Sequence, residues 1–353
     1  MEMAEPDENF QKVEVLLTLA CNCRCVFCSF GDKTSKKVKP VEEIQRDLEF
    51  AKRNRARIVS FSGGEPTIVK ALPEMMAKAK GLGFERIEMQ TNGRMLCYEP
   101  YADKLVQSGL DVCVVSLHSH RPEISDLMMG VNGAFEQTVQ GIKNLKGRGV
   151  YVLVNVVATQ YNYKEIPELT KFLVDDLKVD GLHLIMVAPD GSARAGGKRV
   201  IPQMTEVAES FRKAVGYARE RISEVWTYNL PFCLCSGFEG AEVEINMSLT
   251  QLRAPDFTVS IDDNRFRDKA KFEKCRQCRF DAICQGAWQK YVDLYGDAEI
   301  SPVAGTPITS ADEFRKEFPP MVRPEVEGGK KTGRFIRGSK GEKAPETTAP
   351  RNR

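Results

Sequence analysis

The sequence lacks the features of a membrane or secreted protein. No apolar run reaches ~18 residues, the length that a membrane-crossing helix needs. The first twenty residues begin with acidic side chains and lead straight into a strand-like segment. They have neither the basic start nor the small-residue cleavage site of a signal peptide. We therefore expect a cytoplasmic protein that makes no contact with a membrane.

Histidine is also scarce, whereas cysteine is not. The 353 residues include three histidines, His118, His120 and His183, and eleven cysteines. In a reducing compartment, so many cysteines favour metal sites over a disulfide framework. No internal repeat of solenoid type is present.

The charge is unevenly distributed along the chain. The net charge is +2, yet residues 330–353 carry eight lysines and arginines against two glutamates. A basic tail can bind nucleic acid or an acidic partner. Its Gly, Pro, Ser and Thr content favours a solvated, disordered tail instead, so nucleic-acid binding is not expected.

Strand-like and helix-like patterns alternate over the first ~225 residues. Short runs rich in Val and Ile predict buried parallel strands; they lie at 13–19, 57–61, 86–90, 111–117, 151–157 and 181–187. Amphipathic stretches separate them, as in the helical face of Val41, Ile44, Leu48 and Ala51. This alternation predicts an α/β fold, which we interpret as a (βα)6 partial TIM-like barrel. A doubly wound sheet is the alternative, and alternation alone does not separate the two.

The pattern predicts four segments. An N-terminal extension covers 1–12, and the partial barrel covers 13–225. Residues 226–318 have few helix-length repeats and hold five further cysteines, as expected of a small loop-rich domain stapled by metal. The basic tail covers 319–353.

Polar residues follow the predicted strands at their carboxyl ends. Because the carboxyl ends of parallel strands open on one face, residues scattered over about 170 positions are expected to converge there. They include the cysteines of 21–28, the turn 62–66, the turn 91–93, Ser116, His118, Asn155, Ala188 and Pro189.

The octet CNCRCVFC holds four cysteines, and three of them have the spacing C-x3-C-x2-C. Cys21, Cys25 and Cys28 are enough to bind three irons of a [4Fe–4S] cluster and leave the fourth iron open. A structural zinc site needs four protein ligands, and no histidine lies nearby to complete one. Cys23 lies off this pattern.

These motifs resemble those of the radical S-adenosylmethionine (radical SAM) superfamily. The octet looks like its cluster loop, with Phe27 at the aromatic position. SGGEP at 62–66 looks like its glycine-rich motif, and TNG at 91–93 and the strand end at Ser116 also match. The resemblance extends over most of the first 190 residues.

The resemblance implies a function for each motif. The open iron would chelate the methionine amino and carboxylate groups, and an electron from the reduced cluster would release a 5′-deoxyadenosyl radical that abstracts a substrate hydrogen. Gly63 and Gly64 would let the backbone approach the cofactor, and Glu65 would accept from its ammonium group. Asn92 belongs to the same cofactor site. Ser116 and Asn155 would bond the ribose or the carboxylate. A flavodoxin or a ferredoxin would donate the electron.

A second group of cysteines follows in 226–318. Cys275, Cys278 and Cys284 form C-x2-C-x5-C, and Cys233 or Cys235 can supply a fourth thiolate; we favour Cys233 because Pro231 and Phe232 fix its entry. The pattern resembles the auxiliary [4Fe–4S] domains called SPASM and twitch, and the missing later cysteines favour one cluster. A zinc site held by four thiolates has the same ligand set. Cys97 and Cys113 are expected to be small apolar fillers.

The sequence thus predicts a radical SAM oxidoreductase or maturase. An auxiliary cluster would accept or relay electrons and would suit net oxidation or crosslinking of a substrate, either a ribosomal peptide or a small metabolite. Only a dozen residues precede the first strand, which lowers the expectation of a peptide-recognition domain in this chain. The alternative is an iron–sulfur electron carrier or a zinc-binding interaction protein without SAM chemistry.

Overall fold

The computed structural model describes residues 11–31, 37–245, 250–260 and 268–322. Almost all of the predicted N-terminal extension and most of the predicted tail lie outside these ranges. Of the helices in the described part of the chain, none combines the length and the hydropathy that crossing a membrane requires.

A mostly parallel sheet forms the centre of the fold. Strands β1 to β7 run parallel, and each pairs with the next strand along the chain. They are β1 Lys12–Thr18, β2 Ile58–Gly63, β3 Arg86–Thr91, β4 Val112–Ser116, β5 Tyr151–Ala158, β6 Gly181–Met186 and β7 Glu224–Tyr228. A doubly wound sheet would reverse its strand order at a switch point. Here the spatial order follows the chain order, so the predicted partial barrel is confirmed.

The sheet is wider than the six strands that the sequence predicted. The first six are present within one or two residues of their predicted bounds, and β7 extends the sheet beyond β6. On the other side of β1 lie β8 (Thr250–Arg253), which is parallel to β1, and β9 (Thr258–Ser260), which is antiparallel to β8. The region beyond residue 225 therefore contributes strands to the barrel sheet. No sequence pattern indicated β8 and β9, because they are short and their side chains are half-buried or exposed, apart from Thr250.

The described residues form ten α-helices, eight of them before β7 and two in the C-terminal region. They are α1 Val41–Arg53, α2 Leu72–Gly81, α3 Glu99–Gln107, α4 Pro122–Met129, α5 Ala134–Gly147, α6 Ile166–Lys171, α7 Gly191–Gly196, α8 Met204–Ala218, α9 Gln289–Tyr295 and α10 Ala311–Glu317. The predicted apolar faces are the buried ones: α1 buries Ile44, Leu48 and Ala51. These side chains join the main core together with alternate residues of β1, such as Val13 and Val15.

The remaining residues of β1 have the opposite parity and bring charge into the barrel. Lys12 forms an ion pair with Glu88 of β3, and Arg86 lies 3.1 Å from the same carboxylate. All three side chains are at least 85% buried. The amino-terminal end of the barrel is thus filled by paired charges, which leaves the carboxyl end as the open one.

The C-terminal region packs against the barrel through α9. The Tyr291 hydroxyl accepts from the Met204 backbone N–H at 2.8 Å, and the Tyr295 hydroxyl donates to the Ile201 carbonyl at 2.7 Å. Both contacts hold the segment that starts α8. A separate aromatic cluster of Phe232, Phe280 and Phe314 forms the core of this region.

Candidate active site at the carboxyl ends of the strands

A cavity of about 730 Å³ opens at the carboxyl ends of the parallel strands. Nine of the ten residues that the sequence assigned to the cluster and cofactor site line it: Cys21, Cys25, Phe27, Cys28, Gly63, Gly64, Asn92, Ser116 and Asn155. The expected convergence is therefore observed, with Glu65 as the exception.

Backbone contacts with two other segments hold the cysteine loop. Arg24 and Val26 donate their N–H groups to the carbonyls of Met129 and Met128, at the end of α4. On the opposite side, the Ser192 N–H donates to the Cys28 carbonyl at 2.9 Å. The loop is thus fixed by backbone atoms that leave its thiols facing the cavity.

The four thiols of the octet differ in their surroundings. Cys23 is buried against Met129 and Ala134, whereas Cys21 is exposed and Cys25 and Cys28 are half-buried. The Cys21 sulfur accepts the Cys23 backbone N–H at 3.3 Å. Hydrogen bonding from Cys23 lowers the pKa of the Cys21 thiol to about 7, while burial raises that of Cys25 to about 12. The Cys21 thiol is therefore closer to ionisation at neutral pH than the Cys25 thiol.

Close packing of the backbone leaves no room for a side chain at Gly63 or Gly64. A Cβ on Gly63 would lie 2.2 Å from the Thr18 carbonyl oxygen, and one on Gly64 would lie 2.3 Å from the Ala20 carbonyl oxygen. Their backbone therefore runs directly against the segment that leads into the cysteine loop. Gly63 also adopts φ +139°, a conformation that side chains rarely allow. These contacts give the glycines a role that the sequence did not indicate, in addition to lining the cavity.

Glu65 lies behind the cavity wall and is fully buried. Its Oε1 accepts from the Thr67 backbone N–H and from the Thr67 and Thr91 hydroxyls, and its Oε2 accepts from the Asn92 N–H at 2.8 Å. Burial is the main cause that raises the pKa of this carboxyl group. In this structure the Glu65 side chain ties the turn after β2 to the turn after β3. Direct contact with an ammonium group stays a prediction.

Two side chains of the turn after β3 form hydrogen bonds with the cysteine loop. The Asn92 amide donates to the Asn22 side-chain oxygen at 2.6 Å and lies 3.9 Å from the Cys21 sulfur. The Arg94 guanidinium donates to the Asn22 carbonyl at 2.6 Å and lies 3.8 Å from the Cys23 sulfur. Sequence reasoning missed Arg94, since an arginine after a turn matches no motif and only the fold brings it to the loop.

Strands β4 to β6 supply the polar row opposite the cysteines. Ser116 and Asn155 are paired across β4 and β5, and Asn155 is paired with His183 of β6. The Asn155 side-chain oxygen lies 2.7 Å from His183 Nδ1. The Ser116 hydroxyl has no side-chain hydrogen bond within the described ranges and faces the cavity.

Phe27 and His118 form an apolar wall beside this row. Their ring centroids are 4.7 Å apart in an edge-to-face arrangement. His118 Nδ1 accepts the Val157 backbone N–H, and burial lowers the pKa of the imidazole to about 3. The His118 side chain is therefore neutral at physiological pH.

The second group of cysteines surrounds a much smaller cavity. Its lining contains four thiols, those of Cys233, Cys275, Cys278 and Cys284. Backbone N–H groups already point at two of them: Val303 donates to Cys278 at 3.3 Å and Gly286 donates to Cys284 at 3.4 Å. Cys235 is fully buried, and its thiol donates to the Pro231 carbonyl at 3.5 Å. The arrangement supports the choice of Cys233 over Cys235.

Cys97 and Cys113 lie outside both groups of cysteines. Cys113 is buried in the main core, in agreement with a filler role, and Cys97 is half-buried. Within the described ranges, no group of three or more Cys, His, Asp or Glu side chains is arranged to hold a single metal ion. Ligation at both cysteine groups therefore stays a proposal.

Part of the chain is similar in sequence to known proteins. Residues 15–173 match the family model of the radical SAM superfamily. A protein of Sulfolobus acidocaldarius named "Probable GTP 3′,8-cyclase" is 34% identical over 183 residues, which are 51% of this chain and 57% of that protein. A protein of the same name from Saccharolobus islandicus is 33% identical over 205 residues, 58% of this chain and 65% of its own. The match thus spans less than two thirds of the relatives' length.

Solved structures share the fold at low sequence identity. Streptococcus suis SuiB bound to S-adenosylmethionine has a TM-score of 0.61 at 17% identity and covers 85% of this chain and 76% of its own. Native anSMEcpe with bound AdoMet has a TM-score of 0.58 at 15% identity and covers 86% and 96%. These likenesses concern the fold alone. The domain at residues 15–173, with its cysteine triplet and its glycine-rich turn, is thus similar to the domain of the radical SAM superfamily.

Proposed function

We propose that the protein is a radical SAM enzyme that binds a [4Fe–4S] cluster and S-adenosylmethionine in the strand-end cavity. One observation carries the proposal: three cysteines, two glycines and three polar strand-end residues from five separate segments line the same cavity. Its volume of about 730 Å³ lies within the usual range of small-ligand sites and leaves room for a substrate beside the cofactor.

Cys21, Cys25 and Cys28 would hold the cluster. Metal binding requires thiolates, and the lowered pKa of Cys21 favours the first of them. When bound, the cluster and S-adenosylmethionine supply a 5′-deoxyadenosyl radical that abstracts hydrogen from a substrate.

The remaining lining residues would position the cofactor. Backbone carbonyls of the turn around Gly63 and Gly64 would accept from the methionine ammonium group, with Glu65 fixing that turn. The Ser116 hydroxyl and the Asn155 amide would bond the ribose or the carboxylate. Phe27 and the neutral His118 would keep water from the reacting atoms.

Cys233, Cys275, Cys278 and Cys284 would hold an auxiliary [4Fe–4S] cluster. Four cysteines leave no open iron, so these residues would serve electron transfer and not cofactor binding. An acceptor at this position would take the electron left on a substrate radical and favour net oxidation, including crosslinking. A zinc ion held by the same four thiolates is the alternative outcome.

The cavity lining bears on the substrate. Within the described residues it contains one cationic side chain, Arg24, and one carboxylate, Glu14, which accepts from the Ser62 hydroxyl. Triphosphates are bound by several cationic side chains or by metal ions. We therefore propose a substrate with little negative charge, a small metabolite or a peptide segment, in place of the GTP that the relatives' name indicates. One structural neighbour was solved with a precursor peptide bound.

The proposal is tested on protein purified and reconstituted without oxygen. After reduction with dithionite, the wild type is expected to convert S-adenosylmethionine to 5′-deoxyadenosine, and iron is expected at about eight atoms per chain. GTP is expected to be left unconsumed. A cluster without 5′-deoxyadenosine would favour the electron-carrier function, and consumption of GTP would contradict the proposed substrate class. Deuterated candidates that transfer deuterium to 5′-deoxyadenosine would identify the substrate.

A further inference from the structure

Arg94 lies beside the candidate cluster site and contacts the cysteine loop. It is half-buried and follows β3, in the short helical turn Arg94–Cys97. Its Nε donates to the Gln137 side-chain oxygen at 2.7 Å, which orients the guanidinium from α5. Its Nη1 donates to the Asn22 carbonyl at 2.6 Å. Within the described residues no carboxylate lies within ion-pair distance of Arg94, so no acidic partner neutralises its charge.

The Asn22 carbonyl belongs to the same peptide unit as the Cys23 N–H. No peptide bond in the described ranges is cis, so the carbonyl and the N–H of this unit point in opposite directions. The N–H donates to the Cys21 sulfur at 3.3 Å. Arg94 and the Cys21 sulfur therefore lie on opposite sides of one peptide, joined by hydrogen bonds at both of its polar ends.

A charge at the carbonyl end strengthens the hydrogen bond at the amide end. Hydrogen bonds in a chain polarise one another, and a charged donor increases the effect. Hydrogen bonds to cluster sulfurs and nearby positive charge both stabilise the reduced, more negative state of an iron–sulfur cluster.

We propose that Arg94 is a positioning residue that acts through the Asn22–Cys23 peptide: it aims the peptide N–H at the Cys21 sulfur and raises the reduction potential of the cluster. The inference rests on the proposed function, since it requires Cys21 to be a cluster ligand. It makes Arg94 a determinant of how readily the cluster accepts the electron that starts catalysis.

The test is a reductive titration of the reconstituted full-length protein, followed through the EPR signal that changes on addition of S-adenosylmethionine. Arg94→Met removes both the charge and the hydrogen bond, Arg94→Lys keeps the charge, and Gln137→Leu leaves Arg94 in place but without its orienting partner. Arg148→Met is the matched control, because Arg148 follows α5 and forms its ion pair with Asp103, apart from the cysteine loop. Iron content is measured for each protein.

In Arg94→Met the ratio of reduced to oxidised cluster, at the wild-type midpoint, is expected to fall about tenfold, which corresponds to a shift of about 59 mV for one electron. The midpoint potential of Arg94→Lys is expected to fall by less, that of Gln137→Leu is expected to fall as well, and that of Arg148→Met is expected to stay at the wild-type value. If Arg94→Met does not retain iron, the inference is judged from the midpoint potentials of Arg94→Lys and Gln137→Leu. A lower midpoint in these variants would support the inference, and a midpoint that is unchanged or higher would contradict it.

Failure of the proposed function and failure of the inference about Arg94 would give different results. A wild type that assembles no SAM-responsive cluster would overturn the proposed function and, with it, the role of Arg94. A wild type with such a cluster and Arg94 and Gln137 variants that all titrate at the wild-type midpoint would overturn the inference alone.

Discussion

The four cysteines of residues 21–28 all line the cavity, and they differ in burial. Cys23 is buried against Met129 and Ala134, whereas Cys21 is exposed and Cys25 and Cys28 are half-buried. The Cys23 contribution is its backbone N–H, which the Cys21 sulfur accepts. Because a backbone group does not depend on the side chain, the Cys23 thiol is expected to be replaceable.

Substitution of single cysteines tests this directly. Cys25→Ala is expected to lose the iron of the first site and all 5′-deoxyadenosine formation, since two thiolates remain. Cys23→Ala is the matched control and is expected to keep both, at a cost of about 1 kcal/mol in unfolding free energy from the buried contact. Iron analysis and product formation check the pair. Loss of S-adenosylmethionine cleavage in Cys23→Ala would contradict the assignment by spacing.

At the scale of residues, the sequence patterns predicted which residues lie close together. They were less informative about the hydrogen-bond partners of each residue. Ser116 and Asn155 were predicted from their places at strand ends, with the family resemblance as further support for Ser116, and they do line the cavity. The saturated carboxylate of Glu65 and the guanidinium of Arg94 were not foreseen. Their partners lie across neighbouring strands, and hydrogen-bond partners that meet through tertiary structure leave no local pattern.

At the scale of elements, the end of β2 and the end of β1 are joined without side chains. The Gly64 N–H donates to the Thr18 carbonyl at 2.7 Å, and the Glu65 N–H donates to the Ala20 carbonyl at 2.9 Å. The glycine-rich turn therefore sets the position from which the cysteine loop departs. The turn and the loop form one unit, although more than thirty residues separate them.

Gly64→Ala is expected to disrupt this unit. A Cβ there would lie 2.3 Å from the Ala20 carbonyl oxygen and 2.5 Å from that of Leu19, and backbone atoms cannot move aside as a flexible side chain would. We expect a loss of about 1–3 kcal/mol in unfolding free energy together with reduced iron at the first site. Gly216→Ala in α8 is the control, since nothing lies within 4 Å of its Cβ; it is expected to raise stability by about 0.5–1 kcal/mol. Equal thermal stability and iron content in the two variants would contradict the steric argument.

The long apolar elements were predictable and the short ones were not. Strands β1 to β6 are short segments with many apolar side chains, and most of their residues are buried, so the need to bury both faces determines their type. Strand β8 has the sequence TQLR, and it becomes a strand because β1 offers it an unpaired edge. That edge is a property of the assembled sheet, which a local pattern does not contain.

At the scale of the whole molecule, the two groups of cysteines belong to one packed body. The segment after β6 contacts the cysteine loop and α9: the Ser192 N–H donates to the Cys28 carbonyl, and an Asp190 carboxylate oxygen lies 2.5 Å from Lys290 Nζ. Helix α9 follows Cys284 by five residues and is anchored to α8 by Tyr291 and Tyr295. The second site is thereby held at a fixed place relative to the first.

Removal of the second site is expected to leave the first intact. Cys284→Ala should lower iron from about eight to about four atoms per chain, because a four-cysteine cluster loses one of its ligands. The protein should still cleave S-adenosylmethionine and should lose net oxidation of its substrate. Cys235→Ala is the neighbouring control and should keep about eight. Iron that is equal in Cys284→Ala and in the wild type, or zinc in place of the second four irons, would contradict an auxiliary cluster.

The pairing of β8 with β1 has a consequence for how the chain acquires its structure. Lys12 is in register with Thr250, so β1 gains its neighbour β8 only after the chain has been made as far as residue 250. Until then β1 presents an open edge directly before the cysteine loop, and open edges invite pairing with other chains. Contacts of such long sequence separation also form slowly. A chain shortened before residue 250 would keep the cysteines of residues 21–28 and its glycine-rich turn, yet we would expect it to be prone to aggregation, because the strand that covers the open edge of β1 would be missing.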